Sequence, residues 1–419
     1  MITKSLWRNI ATYCTTRIGP VARQAALRDE YLLGRLWDTT CSCLGHLAEC
    51  TSAERLQAFT RQTFQGFVSL YQSSHYSRPV WAEGIALLAW TAADIGADES
   101  ENWQFIARCW YKKASLACPG SGKYLLNLAL VHERPLYELF YFSKSVISLD
   151  PVPASAAKLK PLRTIYDTIQ SPSEVLFIKA TRLLLQQETK KAVNECADEL
   201  RVALVEDEKL LASNGATVAC IMCAALLGFG DPGSPAFRAM SELRQWQDDP
   251  GYIIIRESMR VEQWRFLRCH VSTENLDPCA SVQEINTSAA ELFHMVASIA
   301  LAARCDSFTY ILLSFIFALS HSPDGLIYLE SAIPWHTLVR CLNQIRFKVR
   351  DPAITGPAGS LEEDVMLHGY MWSWMLFRSG GVCESLDAIE VPCMVQLRLQ
   401  RCMHLAQAIT KVHSILVWE

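Results

Sequence analysis

Proline punctuation of a helical pattern between Trp103 and Leu159 constrains this chain more than any other feature. An aromatic-rich pattern with Trp103 and Trp110 stops at Cys118-Pro119-Gly120. A second, with Leu125, Leu128 and Ala129 on one face, runs to Pro135, which opens a third carrying Leu136, Leu139, Phe140 and Val146. The third stops at Asp150-Pro151. Proline has no amide proton to donate and restricts the residue before it, so Pro119 and Pro151 are expected to end their helices. Ala107, Ala114, Ala129 and Ser145 are small where two helices would have to touch closely.

A lone helix pair cannot bury its own apolar stripe, so a second pair must stack on it. Pro119 and Pro151 lie 32 positions apart, near the roughly 34-residue period of a tetratricopeptide repeat. The Pro-Gly-Ser-Gly turn after Cys118 suits a tight helix–helix connection. The segment therefore reads as at least two tetratricopeptide-like hairpins.

Elsewhere the pattern is also helical. Half of the 419 residues are hydrophobic and 20% are charged, the composition of a chain with a buried core. Leu6, Ile10 and Tyr13, then Tyr31, Leu32, Leu36 and Leu44, predict helices over residues 1–48, broken at Gly19-Pro20. Thr51 to Glu54 reads as a capping box for a helix from Leu56 to Tyr71, and Pro79 opens another from Val80 to Ile95. No strand or hairpin pattern competes in the first 170 residues. Beyond a seam at Gln170-Ser171-Pro172-Ser173, helices are predicted over Val175–Gln187 and Lys190–Ser213. Ala216–Gly228, apolar on all sides, marks a core helix. Phe293–Ala303 and Phe308–Ser320 form an apolar pair, and Ser331 is a candidate cap ahead of Pro334 and Trp335. The four arginines between Arg256 and Cys269 fall on different faces and form no single basic stripe.

The net charge of −4 supplies no general attraction for nucleic acid. Sixteen cysteines are spread from Cys14 to Cys402, and the N-terminus lacks the apolar core of a signal peptide. They read as reduced, buried residues of an intracellular protein. Cys220 with Cys223, and Cys41 with Cys43, have no second pair at zinc-ligand spacing, and Cys220-Ile-Met-Cys223 reads as core. The apolar runs Thr217–Gly230 and Phe308–Leu319 fall short of the roughly 18 residues that span a bilayer, so no membrane span is expected.

Several blocks then recur in a fixed order. Trp110-Tyr111-x-x-Ala114, Pro119-x-x-Gly122-x-x-x-x-x-Leu128-Ala129 and Phe140-Tyr141-x-x-Lys144-Ser145 precede Pro153-Ala154-x-Ala156. Later come Ile333-Pro334-Trp335-x-x-Leu338 with Leu342-Asn343, Glu363-Asp364-x-x-x-His368-Gly369-x-x-Trp372, and Arg398-x-x-Arg401 leading to Leu405-Ala406. The set resembles the helical domain shared by the telomerase-associated ever-shorter-telomeres protein and the Smg adaptors of nonsense-mediated mRNA decay. It covers residues 80–410 in scattered blocks. The resemblance implies an all-α fold, with a tetratricopeptide, 14-3-3-like domain over residues 1–170 and an array of α-helical hairpins over 171–419.

The same resemblance implies a non-catalytic adaptor in nonsense-mediated mRNA decay. Its partners would be proteins, the decay helicase or associated factors, recognised partly through phosphoserine. One alternative is a telomerase-associated protein that binds telomerase RNA or telomeric single-stranded DNA. Another is a degenerate family member that serves as a protein-interaction scaffold. Nucleus and cytoplasm are the expected locations.

The chain departs from the family where a phosphate would be held. Ala93-Asp94-Ile95-Gly96, then Asp98 and Glu99, stand where the family has arginines. Its earlier basic position falls near Trp37 to Ser42, which has no Lys or Arg, and His368 replaces an arginine.

No dinucleotide fingerprint, P-loop, GxSxG or HExxH is present. Glu362, Glu363 and Asp364 read as exposed acids favoured by the dipole of a first helical turn. The chain closes at Trp418-Glu419 with no βαβ alternation for the nuclease-like domain that some Smg proteins carry, so no enzymatic activity is expected. Nor is a cofactor, metal, membrane or small-molecule substrate. The candidate surface for a partner or for single-stranded RNA or DNA comprises Lys112, Lys113, Lys123 and Lys144 with Lys158, Lys160 and Arg163.

Overall fold

The computed structural model describes residues 53–73, 78–94, 100–153, 171–247, 280–322, 330–349, 361–373 and 392–412, with isolated residues at 39–40, 42–44, 46 and 376. The helices expected over residues 1–38, the capping residue Thr51 and the Arg256–Cys269 segment lie outside them. Among the described residues every regular element is helical, as the sequence pattern predicts. Only two isolated bridges interrupt this, Ser121 with Asp150 and Ser148 with Tyr370. The chain divides into two compact units, Met1–Pro119 with Leu130–His132, and Gly120–Ala129 with Glu133–Glu419.

In the first unit, α1 (Ala53–Ser73), α2 (Arg78–Asp94) and α3 (Ser100–Ala117) follow one another, and α2 packs against both others. Alanine explains how closely they approach. Ala86, Ala89, Ala107 and Ala114 are fully buried and carry nothing beyond Cβ, so the backbones meet with little side-chain entropy lost. Aromatic rings fill the wider gaps: Phe64 meets Trp103 edge-to-face at 5.6 Å, and Phe67 meets Trp81 at 5.7 Å. Pro79 sits in the first turn of α2, where a helix needs no amide donor.

The second unit continues with α4 (Gly122–Val131, through Ala129), α5 (Pro135–Val146), α6 (Pro172–Leu185), α7 (Lys190–Glu206) and α8 (Lys209–Leu226). After a 3-10 turn at Gly228–Gly230 come α9 (Pro235–Gln247), α10 (Ala280–Ala302), α11 (Asp306–Leu319) and α12 (Trp335–Lys348). The short α13 (Glu362–Leu367) and α14 (Pro392–Val412) close it. The hub is α8, which packs against α5, α6, α10, α11 and α13. Its residues from Thr217 to Leu226 are all buried, Cys220 and Cys223 completely, as expected of a core helix. By length and composition alone α8 could cross a membrane, yet 72% of it is buried inside the unit.

Two helix boundaries differ from the sequence reading. The helix expected over Lys190–Ser213 breaks at Asp207, which is extended (φ −131°, ψ 96°) and whose carboxylate accepts the amide of Lys209 at 3.1 Å. A fresh helix starts there and runs into the apolar one through a kink at Asn214. Thr189 caps α7, its hydroxyl accepting the Ala192 amide. Further on, Pro334 rather than Ser331 precedes the first turn of α12, and the Trp335 indole donates to the Glu330 carbonyl at 3.0 Å.

Gly122 shows why the turn after Pro119 needs glycine. Its amide donates to Asp150 at 2.8 Å, while a Cβ there would stand 2.8 Å from both the Asp150 carbonyl and the Val152 amide nitrogen. No side chain fits.

Candidate functional site

Cations converge on aromatic rings in the first unit. Tyr71, in the last turn of α1, meets Trp110 of α3 edge-to-face at 4.9 Å and 85°. The Lys113 ammonium lies 4.2 Å from the centre of the Trp110 ring, because residues three apart on a helix share a face. The Arg78 guanidinium, at the start of α2, lies 5.7 Å from the centre of the Tyr71 ring. A ring face attracts a cation through its quadrupole, so both charges are held in place without being neutralised. The Arg78 Nε is buried and has no acceptor. Two positioned cations on neighbouring rings form an arrangement that an anion can complete.

Of the residues expected to form a binding surface, Lys113 is exposed and belongs to this cluster, with Lys112 half-buried beside it on α3. Lys123 is exposed at the start of α4 in the second unit. Lys144 departs from the expectation. It is only 4% exposed, donates to the Met366 carbonyl at 2.7 Å and lies 5.1 Å from the centre of the Tyr370 ring, so it presents no charge to solvent. Lys158, Lys160 and Arg163 lie outside the described residues, as do Ile95 to Glu99 and Trp37-Asp38. Sequence reasoning missed Arg78 and Tyr71. The available signal was an arginine directly before the helix-opening Pro79, which puts a cation on the first turn of α2.

A second polar constellation lies inside the second unit. Glu362 is exposed, but Glu363 and Asp364 are buried, which corrects the reading of all three as surface acids. Glu363 pairs with Arg398 of α14 at 2.6 Å. Asp364 pairs with Arg401, accepts the Tyr310 hydroxyl at 2.8 Å and caps α13 by accepting the Leu361 amide at 2.8 Å. Burial and the Asp364 carboxylate push the Tyr310 phenol well up. Beside this network Lys144 is lowered to about 8 by burial, and Cys220 is pushed up to about 12 by the same cause. Burial, then the Lys144 charge, lowers His368 as well. Gly369 follows in the left-handed region (φ 94°), which favours glycine. Tyr370 stacks on Trp372 at 4.2 Å, and Trp372 meets Phe315 at 5.1 Å. These groups tie α5, α8, α11, α13 and α14 together.

Among the described residues, no three His, Cys, Asp or Glu side chains gather as a metal site. Searched against known proteins, the chain matches no family model. It matches no curated protein either.

Proposed function

We propose that the chain is a non-catalytic adaptor of the ever-shorter-telomeres/Smg type, acting in nonsense-mediated mRNA decay by docking a phosphorylated segment of a protein partner. The observation that supports this is the placement of Arg78 and Lys113 on the Tyr71–Trp110 pair. A phosphoserine brings about two negative charges and three acceptor oxygens, which two such cations match. Within the blocks that carry the resemblance, Gly122, Glu363, Asp364, Trp372, Arg398 and Arg401 hold helices together.

The test is fluorescence anisotropy of the full chain with a serine-phosphorylated peptide from the decay helicase and its unphosphorylated twin. The phosphorylated peptide is expected to bind, and Arg78→Gln and Lys113→Gln each to weaken it about tenfold, the effect of one charge-assisted hydrogen bond. Equal binding of the twins, or no response to either substitution, overturns the reading. Salt-dependent binding of a single-stranded oligonucleotide in its place would favour the telomerase-associated alternative.

A further inference from the structure

We propose that the outer face of α12 docks an acidic amphipathic helix of a partner protein, a site in the second unit that does not depend on the phosphate reading. Leu338, Cys341, Leu342 and Ile345 form the inner face of α12 and are buried, and the helix packs on α10 and α14. His336, Arg340 and Phe347 are all exposed on the other side. Spacings of four and then seven residues put them in one stripe, about 16 Å long at 1.5 Å per residue. Phe347 is 87% exposed, more than any other large hydrophobic side chain among the described residues.

Within α12 the charges near that phenylalanine have one sign. Arg346 and Lys348 flank it and are exposed, and Arg340 lies two turns back. The helix WHTLVRCLNQIRFK contains no Asp or Glu. Among the described residues, no ion pair engages Arg340, Arg346 or Lys348. A helix dipole favours cations in the last turn, which accounts for Arg346 and Lys348. It accounts neither for Arg340, in mid-helix, nor for an aromatic ring left in water.

Arginine and large aromatic side chains are the groups that carry most interface energy, and here they share one rigid stripe. The complement is a helix whose carboxylates face the cations and whose leucines cover Phe347. A nucleic-acid strand is a poorer match. Three cations neutralise few phosphates, and the chain's net charge of −4 adds no general pull on a polyanion.

The probe is a labelled synthetic amphipathic helix of glutamate and leucine, titrated with the full chain and followed by anisotropy. Its glutamine-for-glutamate twin and a leucine-free glutamate peptide are the controls. Only the first is expected to bind. Phe347→Ser and Arg340→Glu are each expected to weaken it about tenfold, the loss typical of an interface anchor. Both positions are exposed, so unchanged circular dichroism and melting should accompany the loss. Binding that ignores both substitutions overturns the proposal, as does failure of the glutamate–leucine peptide to bind. It is also overturned if sedimentation shows the chain to be a dimer that Phe347→Ser dissociates, since the occupant would then be a second copy. Tighter binding of a single-stranded oligonucleotide, lost in Arg340→Glu, would overturn it as well.

Discussion

Glu363 and Arg398 meet at 2.6 Å inside the second unit, with side-chain exposures of 3% and 11%. They join α13 to α14, and the contact of Asp364 with Arg401 does the same, one residue further along α13 and three further along α14. Removing one partner of such a pair leaves a buried charge uncompensated. Glu363→Gln is expected to cost about 3–5 kcal/mol, read as a drop in the urea midpoint. Replacing both partners by apolar residues, as in Glu363→Leu with Arg398→Met, should recover much of the loss. A double variant as unstable as the sum of the single ones would show that the pair is not a coupled unit.

Lys144 sets a dependence on pH. Below about pH 8 it carries its charge in the folded and unfolded chain alike. Between about 8 and its ordinary 10.5 the folded chain has released a proton that the unfolded chain still holds. Its contribution to stability therefore rises with pH across that window, by roughly 3 kcal/mol in all. The facing Cys220 and Tyr370 are held protonated by burial and act in the opposite sense, so comparison with Lys144→Met is needed to isolate the lysine. Relative to Lys144→Met, the native chain should gain stability as pH rises from about 7 to 10. A constant difference would contradict the assignment.

Gly122→Ala forces a Cβ against Asp150 and Val152, where the chain has no slack. Overpacking of this kind costs about 1–3 kcal/mol, and thermal melting should fall accordingly. An unchanged melt would mean that the turn shifts freely.

Thr189→Ala removes the hydroxyl that caps α7, and about 1 kcal/mol of stability should go with it. Thr189→Asp should retain the cap. Denaturant titration of the pair distinguishes loss of the cap from loss of side-chain bulk.

Periodicity and proline placement made most of the helical fold legible. The buried stretch of α8, the start of α2 at its proline and the closely packed alanines of α3 could all be read from residue spacing, because apolar repeats and missing amide donors act locally. The break at Asp207 was not legible, since charged residues on both sides fit a continuing helix equally well. Glu363 and Asp364 were misread for a deeper reason. An acid at a first helical turn looks the same whether water or a distant arginine faces it, and Arg398 is far along the chain. The same holds for Lys144, whose partners Met366 and Tyr370 no local pattern could supply. At the candidate site Trp110 and Lys113 were visible as helix neighbours, whereas Arg78 and Tyr71 join them only through packing of three helices.

Lys144 reaches the carbonyl of Met366 across 222 positions, Leu149 donates to Gly369 at 2.9 Å, and Met371 donates to Ile147 at 3.0 Å. A ribosome adds about 5–20 residues per second, so α5 waits roughly ten to forty seconds after its own synthesis before this seam can form. During that interval Lys144 lacks its carbonyl acceptor, although α5 can already pack on α8. The second unit therefore completes this seam only after Met371 has been made. A nascent chain stalled ahead of Gly369 would carry a finished α8 and still present the exposed surface by which chaperones and proteases know an incomplete protein.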